Sequence, residues 1–588
     1  MKKILYVLKL FFCFVLLTTS CNKEILETKP TDEFSSADVW KDEFLAKSFI
    51  NGIHASLKQG FMKPMQSVFV DEAHRRDHAD QLNFNNCILT VDKIPYWPEE
   101  KWETVYPAVR KCNLFLTNTE NAPFNADNMI GEVRFLRAWL YLKLTSLYGG
   151  VPIITKVYEL IDNFTAPRNS YEDCIEFILD DLDQAASLLP VVQSEKGRPT
   201  KGAALALKAK VLLYAASDLH NTTVSPGYSN PEFLGYVGGD RTARWQAAKD
   251  AAKAVIDMNV YSLYKPNPAP TDSVAKNYYE LFILKETVED IWVRFYSSAT
   301  IGKDNNMMAQ MTPNGYDGQA NNCPIGNLVD AFEMRDGTKF DWNNPAHAAL
   351  PYNYREPRFY AYILYEGAKW RPRPSMSIAL DPIGIIQLGY WERWDAATNS
   401  IVIENGIDSR NSRFIPNNSS QTLYYCRKFL DESFTCGDYD IRQDVPWRYI
   451  RYAEVLLNYA EACIELGQDA EARTYINMIR KRAGLPDVTE SGTALRDRYR
   501  HEKYIEMMYE EQRFFDVRRW MIGPEAYNIN VLAATVLYKL LPDKTTSPIP
   551  TIEHVVLQKR SWNDKAYFFP IMRDEMNKND LLVQNPGY

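Results

Sequence analysis

From Arg451 the chain reads RYAEVLLNYAEACIEL, and its polar positions, Arg451, Glu454, Asn458, Glu461 and Glu465, fall every three or four residues. On a helix they form one narrow stripe, so most of the surface around that helix must be covered by other protein. Gly467 breaks the pattern, and a second helical period follows through Ala470, Ala472, Tyr475, Ile476 and Ile479. Arg480, Lys481 and Arg482 near its end favour the helix dipole, and Ala483-Gly484-Leu485-Pro486 stops it. The unit is a helical hairpin of 34 residues, the period of a tetratricopeptide repeat. One hairpin cannot bury its own apolar face, so stacked partners are predicted elsewhere in the chain.

Candidate partners share its Ala, Leu and Tyr content. Met129 to Tyr148 carries Val133, Leu136, Trp139, Leu140, Leu144 and Leu147 along one face and ends at Gly149-Gly150-Val151-Pro152. Helices are also predicted from Trp40 to Leu57, through Trp102, Tyr106, Val109 and Cys112, and over Tyr171 to Leu189, Lys201 to Ser217 and Arg244 to Met258. From Lys265 to Trp447 prolines, glycines and asparagines replace long helical periods, with short β-prone runs such as Ile291 to Tyr296. Helices resume at Ile450 and continue from Leu495 to Trp520, after which the tail is expected to be irregular. The fold class is mainly α: a tetratricopeptide-like scaffold with a large loop-rich insertion containing short β elements. The expected division is an N-terminal helical region (35–264) and a C-terminal region (265–588), the latter loop-rich over 265–447, helical over 448–522 and irregular over 523–588, packed as one compact unit.

The N-terminus has the layout of a secretory signal, with Lys2 and Lys3 before an apolar run from Ile4 to Leu17. Leu17-Thr18-Thr19-Ser20-Cys21 resembles a bacterial lipobox, in which cleavage after residue 20 leaves Cys21 as an acylated first residue. Residues 21–34, rich in Glu, Lys and Pro, read as a tether. No other stretch is apolar and long enough to span a bilayer, so a lipid anchor is the expected membrane attachment. The formal net charge of −8 provides no basic field for phosphates, which argues against a nucleic-acid partner.

No catalytic or cofactor constellation emerges. Phosphate-binding glycine loops, nucleophile elbows and paired CxxC motifs are absent, and no metal or cofactor is expected. His74 and His78 have the i, i+4 spacing of metal ligands, with Asp71, Asp77 and Asp80 nearby, but Arg75 stands where a zinc protease needs Glu; a solvated, ion-paired loop is the expected state. The acids and bases from Glu502 through Glu506, Glu510, Arg513 and Asp516 to Arg519 are spaced for intrahelical ion pairs. Cys112 and Cys463 fit apolar helical faces as small core residues, and Cys426 and Cys436 are near enough in sequence to bridge, which sequence leaves open.

Several segments in consistent order resemble the SusD/RagB outer-membrane nutrient-binding lipoproteins. They are the lipobox at Cys21, FLRAWLYLKLTSLYGGVPII (135–154), NLVDAFEMRDG (327–337), REPRFYAYIL (355–364), YIRYAEVLLNYAEA (449–462), EEQRFFDVRRW (510–520) and the closing QNPGY. Glu511 departs from the pattern, since glycine is common there in the family. The resemblance implies a largely helical, lipid-anchored protein facing outward from the bacterial outer membrane. There it would capture an oligosaccharide, or in some relatives a peptide, and pass it to a SusC-type TonB-dependent transporter, with no bond made or broken.

A glycan offers apolar ring faces and hydroxyl edges, so its binder needs exposed aromatic platforms beside amides, carboxylates or Arg. The family tends to take ligand aromatics from the loop before the first strong helix and from the central excursion. That points to Trp97 first and Trp370 next, then Tyr96, Tyr296, Tyr316, Tyr390 and Trp391 with Trp394. Two other classes remain open: a glycoside hydrolase, which needs two suitably spaced carboxylates that nothing in the sequence marks, and a repeat scaffold that binds only proteins.

Overall fold

The computed structural model describes residues 39–588 except 59, 77–78, 95–96, 98–100, 121, 160, 222–227, 300–306, 435–436 and 438–440. The signal segment, Cys21 and the tether therefore lie outside the described residues, as do Tyr96, His78 and Cys436. The principal helices are α1 (Glu43–His54), α2 (Trp102–Thr119), α3 (Asp127–Tyr148), α4 (Tyr171–Leu188), α5 (Lys201–Ala216), α6 (Arg241–Asp257), α7 (Val274–Ile283), α8 (Tyr452–Glu465), α9 (Asp469–Ala483), α10 (Gly492–Glu506), α11 (Arg513–Arg519) and α12 (Arg573–Lys578). The longer strands are β1 (Asp290–Arg294), β2 (Tyr390–Asp395), β3 (Ser400–Asn405), β4 (Trp447–Arg451), β5 (Asn530–Tyr538) and β6 (Thr551–Lys559).

The predicted hairpin is α8 and α9, and its partners are the N-terminal helices. Helices α1 to α6 pack each on the next, α6 packs on α8, and α8 on α9, so the stack closes across nearly two hundred residues of intervening chain. Local chemistry sets the boundaries. Ser170 and Asp173 cap α4 reciprocally, Ser170 Oγ accepting from the Asp173 N–H at 3.0 Å and Asp173 Oδ2 from the Ser170 N–H at 3.1 Å. Gly484, at φ +71°, ends α9, with the Leu485 N–H donating to the Arg480 carbonyl at 2.9 Å. Cys112 and Cys463 are fully buried free thiols, as their helical faces predict, and Cys426 is also a buried free thiol.

The polar stripe of α8 is not solvated. Glu454, Asn458 and Glu461 are 2–3% exposed and Arg451, just before the helix, 1%. Each charge has a partner on another element: Glu454 pairs with Lys210 of α5 at 3.0 Å, and Glu461 takes both guanidinium nitrogens of Arg519 at 2.6 Å. The same holds for the acidic run at 502–516, where the intrahelical expectation needs correction. Glu502 binds Arg358 and Arg480, Glu506 binds Arg451, Arg482 and Arg358, Glu510 binds Arg451 and Lys428, and Arg513 binds Asp71. Only Asp516 with Arg519, three residues apart in α11, is an intrahelical pair in this group. Glu502 and Glu506, four residues apart, share one face of α10, and that face is turned into the protein, where desolvated charges require partners.

The helix expected from Leu495 to Trp520 is interrupted between α10 and α11. Tyr509 and Glu511 take φ of +62° and +59°, a left-handed geometry that costs a non-glycine residue roughly 1–2 kcal/mol. Glu511 is the position where the family commonly carries glycine, and the backbone supplies the reason. Glu511→Gly is expected to raise the unfolding free energy by about 1 kcal/mol, relief of strain being partly offset by unfolded-state entropy. A urea titration of both proteins checks it; a lower midpoint for the glycine variant would refute the strain argument.

The tail also differs from expectation. Strands β5 and β6 pair antiparallel over most of their length, and β5 runs parallel to β2, giving a four-stranded sheet in the order β6-β5-β2-β3. The predicted run at Ile291 to Tyr296 is β1, paired antiparallel with β4. The C-terminal QNPGY acts as a clamp: Asn585 Nδ2 donates to the carbonyls of Tyr148 at 3.0 Å and Phe569 at 2.8 Å, and Arg168 donates to Asn585 Oδ1 at 3.0 Å. This satisfies the open end of α3.

Candidate functional site

The aromatic candidates separate into core and surface groups. Trp97 is 6% exposed and enclosed by Phe84, Phe514 and Phe569, at ring-centroid distances of 5.5, 4.6 and 5.1 Å, so it belongs to the core and presents no platform. Trp370 and Tyr316 come together, as an edge-to-face pair 4.6 Å apart, but are 4% and 0% exposed. Tyr296 is half-buried against Phe61 at 5.8 Å. The segment preceding Trp97, expected as a solvated loop, is likewise interior: Glu72, His74 and Arg75 are 1–6% exposed, and His74 Nε2 lies 2.9 Å from Gln421. Long aromatic and charged side chains in an irregular stretch give no period from which burial can be read. No group of three or more metal-ligating side chains is found among the described residues.

Tyr390, Trp391 and Trp394 remain partly exposed, on β2 rather than on a loop. Trp391 stacks on Tyr538 of β5, with centroids 4.6 Å apart and planes 7° from parallel, and the Lys544 ammonium sits 4.0 Å above Trp394. Tyr390 lies directly opposite Asn405 of β3 and shares its face. Asn405 lines a cleft of about 380 Å³, together with Gln387, Glu404, Asn411, Arg413 and Phe414. The set offers amides, a carboxylate, a guanidinium and an aromatic ring, which matches the donors, acceptors and apolar face that a sugar ring requires. Gly406 is needed at its rim, because a Cβ there would stand 2.3 Å from the Gln387 carbonyl oxygen.

Beneath this cleft a buried ionic cluster fixes the loop. Arg373 donates to Asp408 Oδ1 at 2.6 Å and Oδ2 at 2.7 Å and to Asp381 Oδ2 at 2.9 Å. Asp408 Oδ2 accepts from the Gln387 N–H at 2.9 Å, and the Asn314 amide donates to the Phe414 carbonyl at 2.6 Å. Burial raises the Asp381 carboxyl, but hydrogen bonds and charge from Arg373 outweigh it and hold the group below its usual range. The buried pair Tyr316 and Trp370 packs against this cluster, Arg373 lying 4.4 Å from the centre of the Tyr316 ring. Those two candidates therefore support the cleft from below. The cleft's own amides and Arg413 were missed in sequence; the signal was the polar, Asn- and Arg-containing run from Asn405 to Phe414, with a ring at its end.

Comparison with known proteins places the chain in a family. A family model described as the SusD family matches residues 288–588, more than half of the chain. The chain belongs to the SusD family. A second model, described as starch-binding and associating with the outer membrane, matches residues 24–213. Among curated relatives, a SusD-like protein of Formosa agariphila is 22% identical over 520 residues, covering 85% of this chain and 88% of its own length. A crystal structure of a SusD-like protein from Bacteroides fragilis superposes with a TM-score of 0.73 at 29% identity, covering 95% of this chain and all of that one. A laminarin-binding SusD-like protein shares the fold, with a TM-score of 0.60 at 18% identity over 93% of this chain and all of its own. The SusD family assignment accounts for the helical stack that continues into a sheet-bearing C-terminal half.

Proposed function

We propose that this protein is a surface lipoprotein that captures an oligosaccharide at the cleft beside β3 and delivers it to a SusC-type TonB-dependent transporter of the outer membrane. The observation that carries the reading is the donor set of that cleft: the amides of Gln387, Asn405 and Asn411 with Arg413 and Phe414, gathered around a loop pinned by buried Arg373 and Asp408. Membership of a family with starch-binding and carbohydrate-binding relatives supports it. Acylation of Cys21 would hold the cleft at the membrane, consistent with the family description of outer-membrane association.

A hydrolase would need two carboxylates flanking one sugar bond. Among the described residues this cleft presents Glu404 alone, which is exposed and ion-paired with Arg393 at 2.7 Å. The full chain, probed on a glycan array and then by calorimetry, should bind an oligosaccharide at least tenfold more tightly than its Arg413→Ala/Phe414→Ala variant. Equal affinity of the two would remove the cleft from the reading, and release of reducing ends by the purified protein would replace capture with hydrolysis. Cys21→Ser is expected to abolish labelling by radioactive palmitate and release the protein from the membrane fraction.

A further inference from the structure

A second cleft, of about 450 Å³, lies between α2, the segment after α3 and α12. Its walls carry aromatic rings: Tyr106 on α2, and Tyr158 and Phe164 on the segment that follows α3. Tyr158 and Phe164 meet edge to face at 5.8 Å, and Phe164 leaves 57% of its surface in solvent. An aromatic side chain this exposed, beside two half-buried ones, leaves flat apolar area unused by the protein's own packing.

The rim is cationic. Arg110, Lys156 and Lys578 line the cleft against a single acid, Glu575, in a chain whose formal net charge is −8. Arg110 makes no ion pair among the described residues. Lys156 pairs with Asp162 at 2.9 Å and Lys578 with Glu575 at 2.7 Å, both lysines more than 60% exposed. The lysine ends are well solvated although their acids are 24% exposed, so each ammonium can take a ligand anion alongside its present partner. The cleft at Gln387 and Phe414 has no such excess, since its charged residues are Glu404 and Arg413.

We propose that the α2/α12 cleft is a second carbohydrate site, one that selects sugar rings bearing carboxylate or sulfate groups. Flat aromatic faces take the apolar side of a pyranose ring, and the three cations take the substituent at its edge. The ligand class rests on the oligosaccharide-capture reading, whereas the location and charge preference rest on this cleft alone.

The test uses the full chain in calorimetry with tetragalacturonate, a heparin tetrasaccharide and neutral maltotetraose. At least one anionic probe is expected to bind, at least tenfold more weakly to Phe164→Ala and to Arg110→Gln/Lys156→Gln, with no change in Arg413→Ala/Phe414→Ala. Binding of tetragalacturonate assigns the site to uronates, and binding of the heparin fragment alone assigns it to sulfate. The proposal is overturned if neither anionic probe binds, if maltotetraose binds this cleft as tightly, or if the loss follows the Arg413/Phe414 variant. The last result would leave capture at the first cleft standing, and loss of all glycan binding in every protein would sink both.

Discussion

Glu506→Ala is expected to lower the unfolding free energy by about 3–5 kcal/mol, the usual consequence of removing one partner from a buried ion pair. Glu506 is fully buried and accepts from Arg451 at 2.8 Å, Arg358 at 3.2 Å and the Tyr278 hydroxyl at 3.0 Å, with Arg482 as a further partner. Burial acts to raise its pKa, but the charges of Arg482, Arg451 and Arg358 outweigh that and hold the carboxyl well below its usual range. A depressed carboxylate contributes stability that is present above the unfolded value, near 4.3, and is lost as pH falls below it. At pH 7 the whole contribution is present, and the alanine variant leaves guanidinium groups desolvated without their shared anion. Urea unfolding followed by circular dichroism at pH 7 measures the loss. A difference under 1 kcal/mol would show that the cluster does not behave as one coupled network.

The helical scaffold was legible because period and termination act locally. The stripe through Glu454, Asn458 and Glu461, with stops at Gly467 and Gly484, specifies α8 and α9, and the same patterns specify α3 to α6. Which side of a polar stripe faces water is not local. Arg451, Glu461 and Glu506 look like surface residues in sequence and are buried, because their ion-pair partners lie on other elements, up to 162 residues away. The sheet in the tail was hidden for a related reason: β5 finds a neighbour in β2, across the whole α8–α11 segment. In the site the error ran the other way. Trp97 and Trp370 were favoured for their place in irregular segments, yet large rings lose most by exposure and are drawn into cores whenever neighbours allow it, and both are buried. Amides such as Gln387, Asn405 and Asn411 have no periodic signature, and only the fold of the loop over Arg373 and Asp408 gathers them. Glu511 shows the intermediate case, a departure visible in sequence whose meaning required the positive φ.

Glu72→Gln is expected to change stability with the opposite pH dependence. Glu72 is 1% exposed and accepts from the Tyr509 N–H at 2.9 Å. Burial dominates and pushes its carboxyl from 4.5 up to about 8; the Tyr509 hydrogen bond opposes the rise, Asp71 adds to it, and Arg513 and Lys428 reduce it. The nearby Arg513 guanidinium is already engaged by Asp71 in two hydrogen bonds, at 2.9 and 2.7 Å. Between about 4.5 and 8 the folded protein holds a proton that the unfolded chain has released, so this group's contribution is full below 4.5 and falls as pH rises through that window. Glutamine is nearly isosteric with the protonated acid and does not titrate. Relative to the parent, the variant should therefore be near neutral at pH 4.5 and more stable by up to about 4 kcal/mol at pH 8.5. Paired urea titrations at the two pH values decide the matter, and an unfolding difference that stays constant, or that favours the parent as pH rises, would show that Glu72 is ionised in the folded protein. Glu510, also buried, has Arg451 and Lys428 on it and is shifted downward, so the contrast between the two acids traces to where the cations stand and not to burial itself.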